Sequence, residues 1–177
     1  MRRVSSRQRS REAEFTEFVE AASPSLLRAA LVLLGSREDA EDALQLTLLR
    51  TYRRWDRARE APTAYARAVL ANACRERWRH RARHPETTGD MESLGNVISF
   101  AEAVDRRHVL VRMLRRLPDV QREVLVFRYL LDATVSETAE SLGIAEGTVK
   151  SAASRGLEQL RMLLSAEEKR GRRVHPR

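Results

Sequence analysis

Cysteine occurs once in the 177 residues, as Cys74. No intramolecular disulfide can form, paired-thiol chemistry is excluded, and a reducing cytoplasm is the expected compartment. The longest uninterrupted apolar run, Ala29 to Leu34, is far shorter than the roughly 20 residues a membrane-spanning helix needs. The opening MRRVSSRQRSR is basic but has no apolar signal core behind it, and is expected to be a disordered tail. Aromatic residues make up only 5% of the chain, which argues against a helix lying in a lipid surface. No alternating run of β-branched or aromatic residues is long enough for a strand. The sequence contains no GxxxxGK[ST], HExxH or GxSxG. His80, His84, His108 and His175 are scattered, and Cys74 has no partner cysteine, so zinc ligation is not expected. These absences leave no catalytic residue, metal or cofactor to assign, and no enzyme is expected.

Charge is abundant. Charged residues make up 33% of the chain, the net charge is +8, and the 42% of apolar residues suffices for a core. A soluble basic helical protein would show the same balance, but a polyanion, nucleic acid first, is the favoured partner.

Helical periodicity covers nearly all of the chain. Phe15, Phe18, Val19 and Ala22 share one face. Ser23 followed by Pro24 reads as the cap and first residue of a new helix, with Leu26, Leu27, Ala30, Leu31 and Leu34 as its buried stripe and Gly35 as its stop. Ser36 then caps a third helix with acids in its first turn and an inner face of Ala40, Leu44, Thr47, Leu48, Thr51 and Trp55. A loop is expected from Asp56 to Ala61, and Pro62 opens a fourth helix running to about Arg83. The proline, glycines and small polar residues of 84–101 predict a flexible linker. Four further helices are expected: about Glu102 to Arg116, Asp119 to Leu131, Val135 to Leu142 and Glu146 to Leu164. Thr134 with Glu137 forms a capping box for the third of these. The expected fold class is all-α: two small helical domains, 12–83 and 102–164, joined by the linker, with a tail of 1–11 before them and a charged tail of 165–177 after them.

Two stretches point to DNA. In SETAESLGIAEGTVKSAASRGLEQLR, the alanine at 139, the glycine at 143 and the valine at 149 have the spacing of a helix-turn-helix over 135–154. Ala139 lets the helices cross, Gly143 permits the left-handed turn, and Val149 fills the wedge with Leu142 and Ile144. Thr148, Lys150, Ser151 and Arg155 lie outside the apolar stripe, where the second helix would meet a major groove. Ala152, Ala153 and Ser154 are small, as close approach to a DNA backbone would require. An ordinary helical hairpin has the same spacing; the basic composition favours DNA. The fourth helix carries Arg67, Arg75, Arg77, Arg79, Arg81 and Arg83 against the single acid Glu76. Arg75, Arg79 and Arg83 recur every fourth residue on a face suited to phosphates, with Ala66, Val69, Leu70, Ala73, Cys74 and Trp78 on the buried side.

Two basic helical modules in this order resemble the bacterial RNA polymerase sigma factors of the extracytoplasmic-function (ECF) class, which keep only regions 2 and 4. The resemblance covers about Phe15 to Leu164. It is carried by SREDAEDALQLTLLRTYRRW and AYARAVLANACRERWR in region 2, and by LRRLPDVQREVLVFRYLLDATVSETAESLGIAEGTVKSAASRGLEQLR in region 4. The tone of the sequence suggests an actinobacterial branch.

The resemblance implies a protein that binds core RNA polymerase, recognises minus-ten and minus-thirty-five promoter elements and directs transcription initiation. Polymerase would be met by Asp39, Asp42, Gln45, Leu46, Leu49 and Arg53. The minus-ten element would be met by Arg67, Asn72, Arg75, Arg79 and Arg83, with the 56–64 loop holding a flipped base. The minus-thirty-five element would be met by Thr148, Lys150, Ser151 and Arg155. Tyr65 could stack on bases, whereas Trp55 and Trp78 lie on apolar stripes and fit core packing. Promoter DNA, core polymerase and an anti-sigma factor are the implied partners. Three positions depart from the family's pattern: Ala145 replaces a capping serine, Ala152 a larger polar or basic residue, and Leu46 an acid. A self-sufficient helix-turn-helix regulator is the alternative, but it leaves the N-terminal half unexplained.

Overall fold

The computed structural model describes residues 6–83 and 109–174, with side chains described for 9–83 and 109–167. The whole of the expected linker, 84–101, lies outside those residues, as does the start of the helix expected from Glu102. Every regular element described is helical. The first module comprises α1 (Ser6–Leu34), α2 (Arg37–Arg53), a single turn α3 (Trp55–Ala58) and α4 (Pro62–Arg83). The second comprises α5, helical over 109–114, then α6 (Asp119–Leu125) running into a π-helical turn (Val126–Leu130), α7 (Val135–Leu142) and α8 (Glu146–Val174).

The expected break at Ser23 and Pro24 does not occur: α1 is one helix of 29 residues with Pro24 inside it. Phe18, Ala22, Leu26, Ala29, Ala30 and Leu33 make one buried stripe across the proline. Burying a leucine such as Leu26 is worth about 1.5–3 kcal/mol, so packing on both sides offsets the roughly 3 kcal/mol a proline costs inside a helix. The helix also starts earlier than expected. Arg11, assigned from sequence to a disordered tail, donates from Nη2 to the Tyr52 carbonyl at 2.7 Å and lies 4.9 Å from the centre of the Tyr52 ring. Gly35, at φ +73°, ends α1, and the Ser36 hydroxyl accepts from the Asp39 amide to start α2.

The inner face of α2 is Ala40, Ala43, Thr47 and Thr51. It is narrower than the leucine-bearing stripe expected, because the two threonines satisfy their hydroxyls on the carbonyls of Ala43 and Thr47 and can be buried at no polar cost. Leu44, Leu46 and Leu48 are partly buried against the same core. Trp55 is buried, 5.1 Å edge-on to Phe15 and 5.5 Å from Phe18, a core role. The stretch expected as a loop therefore contains the turn α3, held down by Trp55 and Ala58.

In the second module the capping box of α7 forms as expected: the Glu137 amide donates to Thr134 Oγ1 at 3.1 Å and the Thr134 amide to Glu137 Oε2 at 2.7 Å. Helix α8 extends to Val174, beyond the expected Leu164, and Arg112 of α5 pairs with Glu167 along it at 2.6 Å. The two modules are not held apart. Their buried residues form a single cluster in which Phe18, Leu26 and Leu70 share a core with Phe127, Leu131 and Leu142.

Candidate nucleic-acid interface

Helices α7 and α8 form the expected helix-turn-helix. Gly143 is left-handed at φ 65°, ψ 38°, and the Ile144 amide returns to the Ala139 carbonyl at 3.0 Å, a glycine-terminated helix end. Leu142 and Val149 are buried at 2% and 0% exposure and lock the angle between the helices. Thr148, Lys150, Ser151 and Arg155 are all exposed together on the outer face of the first turns of α8. Arg155 donates to the Ser151 carbonyl and hydroxyl, both at 3.3 Å, and Lys150 stands 4.0 Å from Glu146. With no side-chain cap available at Ala145, α8 begins on backbone bonds alone: the Thr148 and Val149 amides donate to the Ala145 carbonyl.

Among the small residues of α8, Ser154 is exposed and Ala153 partly buried, whereas Ala152 and Gly156 pack inward. Ala152 is 2% exposed, so it faces the core and offers nothing to a base. At Gly156 an added Cβ would lie 3.1 Å from Leu125 Cδ1 and 3.3 Å from Gln121 Cβ. The helix is slim where it crosses α6; its outward face is polar and cationic.

Residues that sequence reasoning did not single out adjoin this face. Arg128, Tyr129 and Arg161 line a hollow of about 420 Å³ beside Lys150 and Ser154. Tyr129 is 59% exposed, and the Arg128 guanidinium lies 5.9 Å from its ring centre while capping the Ala133 carbonyl. The π-helical turn aims them outward. Its extra residue is closed by the bond from the Leu131 amide to the Val126 carbonyl, and the chain leaves it through Asp132 at φ +52°. A simple 3.6-residue reading of LVFRYL cannot place that side.

On α4 the five expected minus-ten residues are divided. Asn72, Arg79 and Arg83 are exposed. Arg67 is buried at 8% exposure, donating to the Leu131 carbonyl and lying 3.4 Å from Glu137. Arg75 is bidentate on Glu123, both bonds at 3.1 Å. Trp78, expected on the buried side, is only partly buried, and the Arg122 guanidinium lies 5.4 Å from its ring centre. Cys74 is buried beside these groups. Burial first, and then Glu123, push its thiol up to about 12 against the opposing charge of Arg75, so it is chemically quiet.

On α2, Asp42, Gln45, Leu49 and Arg53 are exposed as expected. Leu46 is not on a free outer face; it is partly buried against the core. Asp39 is largely covered and tied to Arg77 at 2.8 Å and to Arg81, and Arg77 also pairs with Asp42. Arg77 and Arg81 thus join α4 to α2, while Arg50 pairs with Glu76 at 3.1 Å.

A two-module helical protein with an outward cationic recognition helix is the architecture of a promoter-reading DNA-binding protein. Residues 18–84 match the family model of Sigma-70 region 2, and residues 107–160 that of Sigma-70 region 4. Over 157 residues the chain is 36% identical to the RNA polymerase sigma-E factor of Streptomyces avermitilis, covering 88% of this chain and 87% of that protein. It is 34% identical over 144 residues to the ECF RNA polymerase sigma factor SigM of Mycobacterium tuberculosis, covering 78% and 71%. In fold it is similar to the sigma factor RpoE of Bartonella quintana, solved with the anti-sigma factor NepR (TM-score 0.71, 23% identity, 85% of this chain and 96% of that one). It is also similar in fold to CnrH, solved with the cytosolic domain of CnrY (TM-score 0.63, 22% identity, 86% and 88%). The chain belongs to the extracytoplasmic-function class of RNA polymerase sigma factors.

Proposed function

We propose that this sigma factor divides its work between the two modules as follows. Region 2 docks on core RNA polymerase through the exposed outer side of α2, with Asp42, Gln45, Leu49 and Arg53 as its contacts. Helix α4 and the 56–64 segment engage the minus-ten element, with Arg79, Arg83 and Asn72 available at once and Arg67 and Arg75 after release from their present partners. The first turns of α8 enter the major groove of the minus-thirty-five duplex through Thr148, Lys150, Ser151 and Arg155. Arg128, Tyr129 and Arg161 extend that cationic surface along the flanking backbone. The observation that carries this reading is the presence, on one chain with no catalytic motif, of both modules, the second presenting four exposed polar and cationic side chains on a recognition helix. We assign no catalysis to the chain itself, and its place of action is the cytoplasm, where polymerase and promoter are. Among the described residues, no helix is long and apolar enough to cross a membrane. Because RpoE was solved with the anti-sigma factor NepR, an anti-sigma factor is a proposed partner here.

The test is reconstitution. Purified protein added to core polymerase should start transcripts from a restricted set of promoters on genomic templates, and core polymerase alone should not. DNA binding that is specific without polymerase, with no promoter-dependent transcript, would instead indicate a self-sufficient regulator.

A further inference from the structure

Arg11 stands outside the span that matches region 2, which begins at residue 18, yet it reaches the corner where region 2 turns from α2 into α3. Its Nη2 donates to the Tyr52 carbonyl at 2.7 Å, across 41 residues of chain. Its guanidinium lies 4.9 Å from the Tyr52 ring centre, and its Nη1 stands 3.9 Å from Asp56 Oδ2. About one helical turn further on, Phe15 packs on the same corner: its ring centre is 4.9 Å from that of Tyr52 and 5.1 Å from that of Trp55. Arg11 and Phe15 are four residues apart, so one face of α1 carries both.

The corner has little else to hold it. Helix α2 stops at Arg53, and Arg54 leaves the helical region at φ −113°, ψ 18°. The Tyr52 carbonyl belongs to the last turn of α2, where carbonyls lose their α-helical partners. Arg11 brings a cation to that end, where the helix dipole favours one, and a charge-assisted bond to a carbonyl. Helix α3 is a single turn of four residues with no side-chain cap. From Asp56 to Ala61 only Ala58 is buried; its neighbours Asp56, Arg57, Arg59 and Glu60 are exposed. One turn of helix is not stable alone, so its direction is set by what grips its start: the buried Trp55 from beneath and Arg11 from the side. We infer that Arg11 is a positioning residue for promoter opening. It fixes the α2–α3 corner, and so the 56–64 segment, without itself touching DNA. The inference rests on the minus-ten role proposed above for that segment. The pair with the exposed Asp56 contributes little; the bond to the Tyr52 carbonyl carries the effect.

The experiment uses the full chain, core polymerase and a promoter that the protein activates in reconstitution. 2-Aminopurine is placed in turn at each non-template position of the minus-ten element, so that a base leaving the stack brightens. Arg11→Ala should brighten at least about threefold more slowly than wild type, because a flipped base is taken only by the fraction of molecules with the segment in place. Its capture of core polymerase should equal that of wild type. Arg11→Lys still carries a donor for the Tyr52 carbonyl and should recover most of the rate. Arg9→Ala, which removes an exposed arginine from the same helix, is the control of equal charge change and should match wild type. In the free protein, amide hydrogen exchange over 54–61 should rise in Arg11→Ala and not in Arg9→Ala. If Arg11→Ala does not fold, Arg11→Gln takes its place under the same criteria. Equal opening rates or equal exchange in the variant and wild type overturn the inference, as does an equal loss in Arg9→Ala. So does a fall in core capture as large as the fall in opening, which would make Arg11 a support for region 2 as a whole. Wild type that brightens at no position refutes the minus-ten reading and the inference with it. Wild type that brightens alongside an unaffected Arg11→Ala refutes the inference alone.

Discussion

Gly156 of α8 faces Leu125 of α6 so closely that a methyl group added to the glycine would stand 3.1 Å from Leu125 Cδ1. The contact sets the distance between the recognition helix and the helix behind it. Replacing Gly156 with alanine sets a helix-propensity gain of about 1 kcal/mol against a few tenths of an ångström of displacement, so the melting temperature should barely move. Gly156→Val should lower stability by about 1–3 kcal/mol, the usual cost of overpacking, read as a fall in the thermal midpoint. An unchanged midpoint for the valine variant would show that α6 and α8 do not approach as described.

Leu46 and Leu49 should separate under the same substitution. Leu46 is partly buried against the core, while Leu49 is 47% exposed. Leu46→Arg should cost roughly half to all of the 1.5–3 kcal/mol that burying a leucine is worth and lower the thermal midpoint. Leu49→Arg should leave thermal stability unchanged and weaken capture of core polymerase. Pull-down titration and thermal melts on the two variants decide the matter; equal melts would return Leu46 to the outer face.

Lys150 and Arg155 extend from the exposed side of α8. If each contacts a phosphate, replacing one with alanine should weaken binding uniformly across sequences and reduce the salt slope by roughly one. If one reads a base, its loss should cost about 1–3 kcal/mol and relax specificity at a single position. Binding of the minus-thirty-five duplex that is unaltered in the double alanine variant at all salt concentrations would remove both from the interface.

The Glu137 carboxyl is held below its usual range, chiefly by the bonds it shares with Thr134 and less by Arg67. A carboxylate with a lowered native pKa contributes stability that is present in full above its unfolded pKa and lost as pH falls through the native value. Region 4 should therefore lose stability on acidification below about pH 4.5, starting near the ordinary glutamate pKa. Thr134→Ala should cost about 1 kcal/mol at neutral pH but keeps the backbone amide that holds the carboxylate, so the acid limb of the stability curve is tested with Glu137→Gln, which should flatten it. An acid limb unchanged in Glu137→Gln would show that Glu137 is not the group responsible.

Local chemistry alone specified much of this protein. Ser36, Thr134, Gly35, Gly143 and Pro62 mark helix ends because capping bonds, left-handed backbone and a missing amide act within four residues. The same short range made the Ala139, Gly143, Val149 spacing legible, and with it the recognition face of Thr148, Lys150, Ser151 and Arg155. The family was legible too, because its motifs are runs of such local features in a recognisable order. What required the tertiary structure were choices among faces. Pro24 signals a helix start unless a continuous apolar stripe is buried on both sides of it. Ala152 and Gly156 are small for either a groove or a neighbouring helix, and only the position of α6 decides between them. Arg67 and Arg75 read as solvent-facing cations because a sequence cannot show that Glu123 and Glu137, some 50 to 70 residues away, stand opposite. A charge run has no intrinsic direction; its partners do, and those come from packing across the two modules.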